Sequence, residues 1–86
     1  MANTQKCRFS HPLYDTKYEG DFPLDKNFRE IEDMLVEAGF IEKKKGGYQY
    51  IFEDRICKLS APLGDYVPEG VACMDIMIHG LLIILT

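Results

Sequence analysis

The chain has 86 residues, 47% of them hydrophobic and 28% charged, with a formal net charge of −4. That length predicts one domain spanning 1–86, near the lower limit for a self-sufficient core, and the hydrophobic share excludes a disordered chain. The acidic balance counts against a phosphate-backbone binder, which needs a basic face. The longest apolar run, Leu81–Leu85, is far shorter than the ~20 residues of a bilayer span.

The first residues, MANTQKCRFSHP, lack the apolar stretch of a signal peptide. Cys7, Cys57 and Cys73 are an odd number, widely separated and without a CxxC spacing, so neither a disulfide framework nor a zinc site is indicated. A cytoplasmic protein is expected, with reduced, buried thiols, Cys73 most firmly among them, and no metal or other cofactor.

In chain order, residues 1–5 read as a leader. KCRFS alternates Cys7 and Phe9 against Lys6, Arg8 and Ser10, the period of a half-buried strand. HPLYDT breaks that strand at Pro12. In KYEGDFPL, Tyr18, Gly20, Phe22 and Leu24 share one face and Lys17, Glu19 and Asp21 the other, which predicts an N-terminal hairpin.

A helix is predicted over 27–38. Asn27 stands at the cap with Glu30 three residues on, the capping-box spacing. Phe28, Ile31, Met34, Leu35 and Ala38 form an apolar stripe at helical spacing, and Gly39 followed by Phe40 suits a Schellman ending.

IEKKKGG is a loop by charge and glycine content; it lacks the order of elements that makes a phosphate loop. YQYIF and RICKL read as two short strands around a tight turn at Glu53 and Asp54. Tyr48, Tyr50 and Phe52 fall on one side and Ile51 on the other. SAPLGDYVPEG is a long connection. VACMDIMI, the most apolar strand candidate to this point, suits the centre of a sheet. His79-Gly80 either turns the chain into a last strand, LLIILT, or forms a bulge in one long strand.

A hairpin, one helix, two short strands, a crossover and an apolar strand predict a two-layer α+β domain with the first and last strands parallel at the centre. The segment from Tyr18 to Ile78 resembles the ubiquitin-like β-grasp, in its second strand and helix entry (YEGDFPLDKNFREIEDML), its strand–turn–strand (YQYIFEDRICKL) and its closing turn and fifth strand (LGDYVPEGVACMDIMI). Among ubiquitin-like proteins it looks most like the YukD-like family associated with bacterial type VII secretion. The resemblance implies a mixed sheet of four to six strands on one helix, and a non-enzymatic module that binds proteins on the open face of its sheet. The chain ends in LLIILT rather than Gly-Gly, so carboxyl-terminal conjugation is not expected.

No catalytic constellation is legible. His11 and His79 each lie beside a turn signal without a sequence partner, and Lys43, Lys44 and Lys45 suit only weak steering of an acidic partner. The surplus is apolar. Tyr48, Tyr50, Ile51, Met77, Leu81, Leu82 and Ile83 are the candidate partner-binding residues, and the other reading is that a wider core absorbs them. An apolar strand at 81–86 also predicts strand-to-strand homodimerisation. A protein partner is expected, with no nucleic acid and no membrane insertion. Two rival readings are a HicA-like RNA-targeting toxin, suggested by IEDMLVEAGFIEKKKGGYQYIF but without a histidine in its hairpin, and a phage-encoded protein inhibitor.

Overall fold

The computed structural model describes residues 3–80. Five strands form one mixed sheet: β1 (Thr4–Ser10), β2 (Lys17–Pro23), β3 (Tyr48–Phe52), β4 (Arg55–Ile56) and β5 (Met74–Gly80), in the order β2-β1-β5-β3-β4. β1 and β5 run parallel at the centre, and the other neighbours are antiparallel. The helix α1 (Phe28–Glu37) follows β2, and a 3-10 turn at Leu63–Tyr66 lies on the crossover to β5. This is the β-grasp order.

The helix forms where its caps permit. The Asn27 side chain accepts the Glu30 N–H at 2.9 Å while the Glu30 carboxylate accepts the Asn27 N–H at 3.1 Å, satisfying two donors that no helical turn reaches. At the far end Phe40 N–H donates to Leu35 C=O and Gly39 N–H to Val36 C=O, each at 3.0 Å, with Gly39 at φ +81°. That is the predicted Schellman motif, which needs a residue without a Cβ penalty in left-handed geometry. Phe28, Ile31 and Leu35 are buried, whereas Met34 and Ala38 lie at the solvent margin of the stripe.

The core lies between α1 and one face of the sheet. Cys7 and Phe9 of β1, Phe22 of β2, Tyr48, Tyr50 and Phe52 of β3, and Met74, Ile76 and Ile78 of β5 all point into it. Phe9 meets Phe22 and Tyr50 edge-to-face, at centroid separations of 5.1 and 6.1 Å.

Two expectations change and one alternative is narrowed. Of the turn and the single long strand left open at His79-Gly80, the strand holds as far as the described residues go: both belong to β5, opposite Gln49 and Tyr48. Cys73 precedes the strand and is partly exposed, since Met74 takes the buried place beside Cys7. RICKL contributes only Arg55 and Ile56 as strand, although Cys57 N–H still donates to Tyr50 C=O at 2.8 Å. The predicted strand at 81–86 lies outside the described residues.

Candidate protein-interaction face

Strand periodicity sends alternate side chains to the side away from α1, and cross-strand register aligns them into rows. Ser10 on β1 pairs with Met77 on β5, Met77 with Ile51 on β3, and Ile51 with Ile56 on β4. Three large apolar side chains thus form one row across the open face. Met77 is 51% exposed and Ile56 62%, while Ile51 is half-buried between them. The two-residue turn at Glu53-Asp54 sets this row, because it places Ile56 directly opposite Ile51.

The neighbouring row is ionic. Arg8 on β1 stands between Glu19 on β2 and Asp75 on β5. Its Nε and Nη2 donate to Glu19 Oε1 at 3.1 and 2.9 Å, and its Nη1 to Asp75 Oδ1 at 3.3 Å. The hydrogen bond to Glu19 and then the charge of Asp75 raise the Arg8 pKa further above its ordinary value and fix its guanidinium plane. Exposed pairs of this kind contribute little to stability. Their effect is orientation: a planar cation bracketed by two carboxylates borders the apolar row. His79 and Gln49 form the row on the other side.

The predicted binding residues therefore separate. Ile51 and Met77 lie together on the open face. Tyr48 and Tyr50 are corrected to core residues, because their strand parity turns them toward α1; they are 6% and 0% exposed. Leu81, Leu82 and Ile83 lie outside the described residues. Tyr48 and Tyr50 stand at the places where a toxin-like hairpin would carry a histidine. Ile56 and Arg8 were not singled out by sequence pattern, although the length of the Glu53-Asp54 turn carries the signal for Ile56.

The titratable groups are placed for structure. Burial, with smaller contributions from Cys73 and Asp21, pushes the Cys7 thiol up to about 12, and burial raises Cys57. Both are thus held as poor nucleophiles. His11 Nδ1 accepts the N–H groups of Leu13 and Tyr14 at 3.0 and 3.1 Å, organising the β1–β2 loop. Among the described residues no three His, Cys, Asp or Glu side chains group as metal ligands, and no helix is long and apolar enough to cross a membrane.

No protein-family model matches the sequence, and no curated protein matches it. Solved structures do match in shape. The ubiquitin-like domain of yeast Ddi1 superposes with a TM-score of 0.68 at 13% identity, over 95% of this chain and 94% of that one. A protein designed de novo on ubiquitin gives 0.65 at 13% identity, over 88% and 87%. A ubiquitin-fold protein of Arabidopsis thaliana gives 0.62 at 14% identity, over 96% and 93%. Agreement over nearly the whole of each chain at so low an identity shows the architecture: this chain has the ubiquitin-like β-grasp fold.

Proposed function

We propose that the chain is a non-enzymatic protein-interaction module that docks a partner protein on the open face of its sheet. Ile51, Ile56 and Met77 form the apolar centre, and Glu19, Arg8 and Asp75 the rim that sets the partner's orientation. A single observation carries this reading: the apolar row and the bracketed arginine row are adjacent, giving an apolar centre with a polar border, the anatomy of a recognition surface. The finer setting, an accessory of a bacterial type VII secretion machine, rests on the resemblance of the Tyr18–Ile78 segments to YukD-like proteins.

The test is affinity capture with the full chain and with an Ile56→Glu/Met77→Glu variant, alongside a Lys58→Glu control. Both substituted positions are largely exposed, so the variant is expected to keep its melting temperature and lose a specific partner that the control retains. Recovery of the same partners by variant and wild type refutes the open-face reading. A secretion ATPase among the lost partners supports the finer setting.

A further inference from the structure

A second surface lies at the end of the sheet, away from the open-face row. The β1–β2 loop and the loop after α1 enclose an open groove of about 960 Å³. Its aromatic lining is Tyr14, Phe40 and Tyr48, and Leu13 at its mouth is 81% exposed. The groove is built rather than incidental. The His11 ring lies tilted against Tyr14 and edge-on to Phe40, at centroid separations of 4.8 and 5.4 Å, while its Nδ1 holds the Leu13 and Tyr14 amides. The Tyr48 hydroxyl donates to Glu42 C=O at 2.6 Å, tying the opposite wall to β3.

The charge of this groove is opposite to that of the molecule. Lys17, Lys43 and Lys44 line it against one carboxylate, Glu42, in a chain whose net charge is −4. Among the described residues none of these lysines takes part in an ion pair, and Lys44 Nζ lies 5.9 Å from the centre of the Tyr48 ring. Apolar side chains in the floor, beneath ammonium groups that pair with no carboxylate among the described residues, complement a ligand that is apolar and anionic together.

We propose that this groove binds an extended segment of a partner protein in which aliphatic or aromatic residues alternate with aspartate or glutamate. The apolar side chains enter between Tyr14 and Phe40, above the exposed edge of Tyr48, and the carboxylates meet Lys17, Lys43 and Lys44. Three lysines are too few to hold a phosphate backbone against the field of an acidic chain, and the aromatic floor rewards side chains that a purely acidic tract lacks.

The experiment is an amide-resolved NMR titration of the full chain with a six-residue peptide alternating Asp with Leu or Phe, with its Lys-substituted counterpart and with an oligothymidylate of similar length. Saturable shifts are expected at Leu13, Tyr14, Phe40, Lys43 and Lys44 with the acidic peptide alone. Added salt is expected to weaken them, and a Lys43→Glu/Lys44→Glu variant of unchanged melting temperature to weaken them at least tenfold. Equal or tighter binding of the Lys peptide or the oligothymidylate overturns the proposal. So do shifts confined to Ile51, Ile56 and Met77, which leave the open-face reading standing alone. Contacts in the free protein between methyl groups of 81–85 and the Phe40 ring would assign the groove to the chain's own end and also overturn it.

Discussion

Glu32, on the flank of α1, accepts the phenolic hydroxyl of Tyr50 at 3.0 Å. The same carboxylate oxygen accepts the Tyr48 backbone N–H at 3.2 Å. One side chain therefore satisfies the polar end of a fully buried tyrosine and the first amide of β3, and it fixes the helix against the strand that carries Ile51.

Glu32→Ala leaves the Tyr50 hydroxyl without its acceptor in the core, with an expected cost of about 1–3 kcal/mol. Glu32→Gln keeps an acceptor oxygen and is expected to lose less. In a Tyr50→Phe background the cost of Glu32→Ala should shrink, because the group left unsatisfied is gone. Urea unfolding of the wild type, Glu32→Ala, Tyr50→Phe and the double variant gives the coupling. Strict additivity would show that the hydrogen bond carries no stability.

Alkaline stability follows from groups held protonated by the fold, Cys7 and Tyr50 foremost, with Cys57 and Tyr48 raised in the same direction. Cys7 is raised from its ordinary 9.0 to about 12, chiefly by burial, and Tyr50 is raised by burial and then by the Glu32 charge. In the unfolded chain the thiol ionises near pH 9 and the phenol near 10, so above those values the unfolded state binds fewer protons than the native one. Stability is then whole below pH 9 and falls as pH rises toward the folded values, by about 1.4 kcal/mol per pH unit for each of Cys7 and Tyr50. Cys7→Ala is expected to flatten the slope from pH 9 to 10, and Tyr50→Phe to flatten it above 10. An unfolding midpoint constant from pH 8 to 10.5 would contradict this assignment.

The thiols differ in access. Cys7 and Cys57 are 0% and 2% exposed, and Cys73 is half-buried ahead of β5. A thiol reagent at neutral pH is expected to modify one cysteine of the folded chain, Cys73, and all three in denaturant. Rapid modification of Cys7 or Cys57 in the native protein contradicts the packing described.

Local pattern made much of this fold legible. The helix and its two caps, the buried parity of β1, the alternation of β3 and the parallel pairing of β1 with β5 all follow from spacing and element order, because each is fixed by residues close in sequence or by the hydrophobic face; which face of β3 is buried does not. What escaped notice depends on register between distant strands. Arg8 meets Asp75 only because β5 lies beside β1, and no spacing in the sequence joins residues so far apart. The surface reading of Tyr48 and Tyr50 failed for a related reason. A tyrosine serves a core as well as an interface when its hydroxyl finds an acceptor, and Glu32 and the Glu42 carbonyl supply one to each. Composition left His79-Gly80 open between a turn and a continuing strand, and pairing with β3 keeps both residues in β5.

The β3–β4 turn is where sequence and backbone conflict, and it tests the register of the binding row. Glu53 and Asp54 have φ values of 50° and 64°, so both central residues of a two-residue hairpin occupy left-handed backbone, the geometry of a type I′ turn. Asparagine and glycine suit those positions, whereas a glutamate with its long side chain does not. Strain of this kind costs on the order of 1 kcal/mol at each residue, part of which a new glycine returns through the greater freedom it gives the unfolded chain. Glu53→Asn with Asp54→Gly is therefore expected to stabilise the domain by about 1 kcal/mol, raising the melting temperature by roughly 4–8 °C for a chain of this size. Because the turn length is unchanged, Ile56 should remain opposite Ile51, visible as a cross-strand contact between their side chains. A melting temperature that stays the same or falls would mean that the turn is not strained. Loss of the Ile51–Ile56 contact would mean that the turn residues, and not the turn length alone, hold the apolar row in line.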